Sequence, residues 1–465
     1  TTLWDLVSRR ADATPGETFA IDENDAVVTF REYRDSAEQC AARLAAKGVT
    51  TGTRVSWQLP TTVDALTLCA ALSRLGAIQN PILPIYREDD VAFVLDQLES
   101  EWFIVDGLFR GFDHAAMAQK LGERLPGLEP LDLSQGWPQP DESSALPDPP
   151  ENKGDPVRWV LYSSGTTADP KGAKHTDGTL LAASEGFAQR LQLRADDRIA
   201  LVFPVTHVGG ILWLMNGLRV GCAQLVVPTF DPGTTIPFLQ RHGVTQATAG
   251  TVFHQAYLAA QRERGSAPLF ENLRTLPGGG APKPPQLYFD CRAEMDAPIV
   301  SGYGLTECPV LAMNGPGDPE EKLAHTEGRA CPDRVEIQIV DFDGRTQPPG
   351  AEGEIRVRAP QLCQGYWDPS LDADAFDAQG FFRTGDLGVL DADGFLEVTG
   401  RLKDVIIRKG ENISAREIED RLFRHPGVAD AAVIGLPDAE RGELACAVVV
   451  TGPRGDAFDF AEMVR

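Results

Sequence analysis

At 465 residues the chain is too long for one ordinary domain, and with 42% hydrophobic residues it has ample material for a buried core. No stretch approaches the roughly 20 apolar residues that span a bilayer, and the opening "TTLWDLVSRRADATPG" has no apolar signal-peptide core, so a cytoplasmic protein is expected. With 68 acidic against 43 basic side chains the formal charge is −25, a field that repels nucleic-acid backbones and anionic lipid and leaves anionic ligands to local donors.

In chain order, "FREYRDSAEQCAARLAAKGV" has helical spacing and stops at Gly48, "TRVSWQLP" reads as a strand, and "TTVDALTLCAALSRLGA" reads as a buried helix. "WFIVD" is a further strand, and the alternation predicts an α/β fold with a mainly parallel sheet. Residues 134–156 are rich in Pro, Ser and acid and read as a surface loop or linker. "VRWVLY", "RIALVFPV" and "AQLVVP" follow as short apolar runs, each with helix-like sequence behind it. From about residue 335 the short runs "VEIQIVD", "GEIRVR" and "GFLEVTG", parted by Gly and Asp turns, predict a smaller β-rich subdomain. Beyond "GRLKD", Ser414 and Glu417 have capping-box spacing, which starts a helix at Ala415 and ends it near Gly427. "VADAAVIGLPD" and "ELACAVVVTG" complete a small α+β unit. No internal repeat is seen. The eight cysteines are scattered, with no CxxC pair and no nearby His at zinc-ligand spacing, so free buried thiols are expected.

The run "YSSGTTADPKG", Tyr162–Gly172, sits between the apolar "VRWVLY" and a helix-like segment. Ser163, Ser164, Gly165, Thr166, Thr167 and Ala168 offer successive backbone N–H groups and small side chains, and Lys171 adds a point charge. That chemistry suits a polyphosphate. The Lys precedes Gly172, so this is no G-x-x-x-x-G-K-[ST] loop, and no G-x-G-x-x-G opens the helix. In "GYGLTE", Gly302 and Gly304 permit a tight backbone path, Tyr303 offers a ring to a base, and Thr306 and Glu307 suit phosphate and Mg²⁺. Each run taken alone also fits an ordinary loop, turn or strand end.

Together these runs resemble the adenylate-forming superfamily of acyl-CoA synthetases, peptide-synthetase adenylation domains and luciferases. Tyr162–Gly172 matches that family's phosphate loop except at Ala168, where Gly is usual and where a slower loop closure is expected. The resemblance implies that Tyr303 stacks on adenine, Thr306 contacts the α-phosphate and Glu307 holds Mg²⁺. It implies that Gly279, Gly280 and Ala281 of "PGGGAP" wall the adenine and acyl group. It also implies that Asp386 of "FRTGDL" binds the ribose hydroxyls with Arg401 nearby. Asp404 would be a hinge, and "RKGENIS", with Lys409 and Gly410, would face the CoA tunnel. "FPVTHVGGILW" resembles the acyl-pocket motif: His207 would gate, Val208 would line the pocket, and Gly209 and Gly210 would leave volume. Thr251 of "GTVFH" and residues through Met313 would complete it.

The domains implied are 1–399 for AMP binding, 400–404 as hinge and 405–465 as a partial, mobile C-terminal domain. The fold class is therefore α/β, with a β-rich subdomain in the large part and an α+β unit at the end. The activity implied is ATP- and Mg²⁺-dependent activation of a carboxylic acid to an acyl-adenylate, then transfer to coenzyme A. No Asp stands near Val205 and Thr206 to hold an α-ammonium, so an acid without an α-amine is expected, and a mostly apolar pocket favours a medium-chain, cyclic or polycyclic one. Two alternatives stay open, an acyl-AMP ligase serving a carrier protein or separate enzyme and a non-catalytic binding module. A homodimer is compatible with all three. The family's late "P-K-T-x-x-G-K" lysine has no counterpart in these residues; if the chain stops short of that segment, an intact ATP site with impaired adenylation is expected.

Overall fold

A computed structural model describes residues 1–137, 146–151, 155–163, 169–281, 283–408, 411–423, 425, 427–438 and 442–451. The chain divides into two compact units. The first comprises Thr1–Ala324 with Cys331–Val335 and Ala359–Asp374, the second His325–Ala330, Glu336–Arg358 and Ala375–Arg465.

The first unit is built on a six-stranded sheet with the order Lys171–Thr176, Val157–Ser163, Ile78–Pro81, Arg54–Gln58, Trp102–Val105 and Glu129–Asp132. All neighbours are parallel except the first pair, which is antiparallel. The helices that return the chain carry the predicted signals. Phe30–Ala46 opens on a Thr29/Glu32 capping box. Val63–Leu75 is capped by the Thr62 hydroxyl, which accepts from Ala65 N, and stops at Gly76 with φ +70°. Ala65 to Leu75 are buried without a break, so this helix is wrapped on all sides, as its apolar sequence required. A second sheet sets Arg198–Leu201, Ala223–Val226 and Thr18–Ile21 in parallel, with Val27–Thr29 antiparallel at its edge. A third pairs Leu276–Gly279 with Ile299–Tyr303 in parallel, and Tyr303 and Gly302 with Ala312 and Met313 in antiparallel register.

The second unit holds the antiparallel sheet Glu336–Val340, Glu352–Arg358, Phe382–Leu390 and Leu396–Arg401, at the place where the sequence turned β-rich. It also holds the sheet Glu411–Ser414, Val405–Arg408, Gly442–Thr451 and Val428–Asp438, with the helix Ala415–Leu422. That helix starts at the expected residue but ends at Leu422 rather than near Gly427. Pro426 disfavours helical backbone in the residue before it. All eight cysteines are free thiols, seven buried and Cys446 half-buried.

Candidate active site

The sequence placed the phosphate-loop run between a strand and a helix, and the structure corrects this. Residues after the run form the strand Lys171–Thr176, antiparallel to Val157–Ser163, with Lys171 opposite Ser163 and Gly172 opposite Tyr162. Helix Asp177–Leu191 begins only after it, on the Thr176 cap. Gly172, Ala173, His175 and Thr176 of "KGAKHT" are buried and only Lys171 and Lys174 are partly exposed, so the strand has buried residues on both faces and its sequence carries no alternation to announce it. Gly172 lies tight in this hairpin, since a Cβ there would stand 2.9 Å from the Tyr162 ring. Ser163 is partly exposed at the end of its strand. Ser164, Gly165, Thr166, Thr167 and Ala168 lie outside the described residues.

Two side chains reach the Thr306–Glu307 loop, His175 from the strand Lys171–Thr176 and Tyr366 from the segment beside that strand. His175 is fully buried; its Nε2 lies 2.8 Å from the Thr306 carbonyl and its Nδ1 3.0 Å from the Thr179 hydroxyl. Burial lowers its pKa to about 4, so the ring is neutral and Nε2–H is the donor to Thr306. Tyr366, from the neighbouring segment, is 3% exposed and donates its hydroxyl to Glu307 Oε1 at 2.7 Å. Burial and the Glu307 carboxylate raise the Tyr366 pKa, which keeps that proton on the phenol. Lys171 Nζ stands 5.6 Å from the centre of the same ring, within cation–π range.

Gly304 lets the Thr306–Glu307 loop close on itself. A Cβ there would lie 2.2 Å from Val310 N and 3.0 Å from Cys308 O. Val310 has φ +48°, a left-handed conformation costly for a β-branched residue. Leu305 and Cys308 exchange backbone hydrogen bonds across the turn. Tyr303 and Thr306 are partly exposed, and Gly279, Gly280 and Ala281 are exposed beside Gly302. A Cβ on Gly279 would lie 2.5 Å from Gly302 O, and Gly280 has φ +77°. These strand ends therefore approach more closely than side chains allow.

Glu307 is 7% exposed. Tyr366 occupies one of its oxygens, and among the described residues the other accepts no hydrogen bond. A nearly buried carboxylate with one oxygen unused fits a cation. Among the described residues, no group of three or more His, Cys, Asp or Glu could hold a metal. A single carboxylate such as Glu307 suits Mg²⁺, which takes one or two carboxylates and completes its shell with phosphates and water.

On the acyl side, His207 caps the helix Val208–Val220, and its Nδ1 accepts from Gly209 N at 3.2 Å, leaving Nε2 as the protonated nitrogen of the neutral ring. His207, Val208 and Thr306 line one pocket with Ile82, Tyr86 and Tyr162. The Thr206 hydroxyl lines it too and, among the described residues, is buried without a hydrogen-bond partner. Gly210, Thr251 and Met313 are not part of that lining. The expectation that Gly210 leaves pocket volume is corrected. A Cβ there would meet Pro204 O and Val205 Cα at 2.6 Å, so its space is filled by its own helix entry. Thr251 starts the helix Thr251–Arg264 and is partly exposed. Met313 is buried opposite Gly302, its carbonyl accepting from Arg190 Nε at 2.9 Å. His254, the last residue of "GTVFH", is buried with Nε2 3.2 Å from the Pro277 carbonyl. Sequence reasoning missed Pro81–Leu83 and Tyr86; the turn-forming "NPILP" after the Ile78–Pro81 strand was the one available signal.

In the second unit Asp386 and Arg401 stand opposite each other on adjacent strands, Arg401 Nε 3.2 Å from Asp386 Oδ1. Asp386 is buried and Arg401 exposed. Asp404 is exposed at the end of the short 3-10 turn Leu402–Asp404. Lys409 and Gly410 lie outside the described residues.

Comparison with known proteins gives one consistent picture. A family model described as AMP-binding enzyme matches residues 7–367, and one described as AMP-binding enzyme C-terminal domain matches residues 417–465. A medium-chain fatty-acid–CoA ligase of Escherichia coli is 31% identical over 99% of this chain and 83% of its own length. A salicyl-AMP ligase / salicyl-S-ArCP synthetase of Mycobacterium tuberculosis is 34% identical over 91% of this chain and 76% of its own. The o-succinylbenzoate CoA synthetase of Bacillus subtilis, solved with its acyl-adenylate intermediate, superposes with a TM-score of 0.85 at 28% identity, covering 99% of this chain and 91% of that one. The chain therefore belongs to the family of AMP-binding enzymes, AMP-forming acid–thiol ligases that use ATP and Mg²⁺ to make an acyl-adenylate and then an acyl-CoA.

Proposed function

We propose that this chain activates an apolar carboxylic acid without an α-amine, of medium-chain, cyclic or polycyclic form, and passes the acyl group to coenzyme A. The observation that carries the reading is the linkage of Lys171, Thr306 and Glu307 through Tyr366 and His175 beside a pocket whose lining has no charged side chain. A carboxylate is a poor acyl donor because its leaving group would be oxide. Attack of its oxygen on the α-phosphorus replaces that group with AMP. Lys171, carried on a strand rather than a flexible helix end, sets a positive charge beside the departing pyrophosphate. The Thr306 hydroxyl donates to the α-phosphate, and its carbonyl is held still by His175. Glu307 would hold Mg²⁺, which when bound neutralises charge on the phosphates. Tyr303 would stack on adenine between the Gly279–Ala281 wall and Gly302–Gly304, and Asp386 with Arg401 would take the ribose. His207 and Val208 would meet the acyl group.

For the second half-reaction we assign residues 1–399 to nucleotide binding, 400–404 to a hinge at Asp404 and 405–465 to a mobile domain bringing Lys409 and Gly410 to the CoA thiol. The exposed short turn between two strands at Leu402–Asp404 supports this. Eight free thiols fit a reducing cytoplasm. A carrier protein is the second acceptor to consider, because a relative is named for that transfer.

The test is pyrophosphate release from ATP with a panel of acids, with and without CoA, on the full chain. Pyrophosphate with straight-chain or ring acids, and AMP release only when CoA is added, is the expected result. AMP release with a carrier protein alone would move the assignment to the second acceptor. No pyrophosphate with any acid would sink the reading. Asp404→Pro in the same assay should keep pyrophosphate release and lose CoA-dependent AMP release; equal loss of both would remove the hinge.

A further inference from the structure

We propose that Tyr366 is the positioning residue of the metal and phosphate site, its hydroxyl fixing the Glu307 carboxylate and its ring face seating the Lys171 ammonium. The proposal rests on the reading of Glu307 and Lys171 given above.

Tyr366 is poorly explained as a packing residue. It is 3% exposed, yet its one polar atom meets the one carboxylate of the Thr306–Glu307 loop at 2.7 Å. Its backbone is fastened with unusual care. Lys174 N donates to Gly365 O, Gln364 N to Lys174 O and Trp367 N to Gly172 O, so Gln364–Trp367 is pinned along the edge of Lys171–Thr176 around an isolated Ala173–Tyr366 bridge. Tyr366 N itself donates to Asp372 Oδ1 at 2.8 Å. On the far side Cys363 N donates to the Glu307 carbonyl at 2.8 Å, so Glu307 is held at backbone and at side chain by one short segment.

The consequence is geometric. With Oε1 bound by the phenol, the carboxylate cannot rotate freely, and Oε2 is the oxygen left for a cation. The same ring lies below Lys171 Nζ at 5.6 Å, which limits where the ammonium can sit. One side chain therefore sets the spacing between the cation bound by Glu307 and the cation of Lys171. A hydrogen bond to the unused face of a metal ligand typically tunes metal affinity about 10- to 100-fold.

The experiment compares wild type, Tyr366→Phe, Glu307→Gln and the double variant. Two quantities are read: the Mg²⁺ dependence of binding of a non-cleavable α,β-methylene ATP by calorimetry, and the Mg²⁺ dependence of acid-stimulated pyrophosphate exchange. Tyr366→Phe keeps the ring. It should melt within a few degrees of wild type and keep the KM for the acid, while needing about 10-fold more Mg²⁺ in both readouts. In the Glu307→Gln background the same change should add nothing. Tyr366→Leu, which removes the ring as well, should raise the nucleotide KM several-fold further. Wild-type Mg²⁺ dependence in Tyr366→Phe, or an equal loss with and without Glu307, overturns the positioning role while leaving Glu307 as ligand. A Glu307→Gln variant with unchanged Mg²⁺ dependence overturns the ligand assignment, and this proposal with it.

Discussion

Gly304 leaves the Thr306–Glu307 loop no choice of residue. A methyl would have to occupy the place of the Val310 amide, 2.2 Å away, and backbone cannot step aside as a flexible side chain can. Gly304→Ala should therefore cost about 1–3 kcal/mol of stability and lower kcat/KM for adenylation about 100-fold, read by thermal melting and pyrophosphate exchange. Gly317→Ala, with nothing within 4 Å of the new methyl, serves as the silent control. The tight path was legible in "GYGLTE" because glycine spacing is local. His175 and Tyr366 were not legible. Tyr366 meets Glu307 across 59 positions and His175 meets Thr306 across 131, and nothing local to either residue says where the chain will return. Gly210 was misread for the opposite reason: an absent side chain in a motif looks like room for a ligand, and here the room is taken by Pro204 and Val205.

Elements carry the next level of consequence, and the helix Asp177–Leu191 is the informative one. Its first residue, Asp177, is 3% exposed and accepts from Trp159 Nε1 at 2.9 Å. Burial raises its pKa from 3.8 to about 6, with Trp159 opposing the shift. The folded chain therefore binds this proton more tightly than the unfolded chain. Stability from this group is present below about pH 4 and falls as pH rises to about 6, after which it is flat. Asp177→Asn should remove that decline and stabilise the protein at pH 7 by about 1–3 kcal/mol, relative to its effect at pH 4. Urea titrations across that range check the slope; an unchanged difference between the two proteins at both ends would refute it. Helices with local caps, such as Phe30–Ala46 and Val63–Leu75, were read correctly because the Thr caps and Gly stops sit beside them. The strand Lys171–Thr176 was missed because six residues beside a helix give too little period to separate the two states.

At the scale of the whole molecule, the order of the strands was the least legible feature. Nothing in the sequence says that Ile78–Pro81 lies between Val157–Ser163 and Arg54–Gln58, since that order is fixed by contacts distant along the chain. Fold class and family were legible at the same scale, because motifs in a fixed succession constrain the chain far more than any one of them. Burial of the thiols has a practical side. Cys222, Cys291, Cys331 and Cys363 are pushed up to about 12, and Cys40, Cys69 and Cys308 are raised by burial too. The native protein should therefore give about one fast equivalent with a chromogenic disulfide reagent, from Cys446, and all eight once denatured. More than two fast equivalents would contradict the packing. An enzyme so quiet toward such a reagent lets the disappearance of its own thiol substrate be followed by colour, in the same cuvette and without separation.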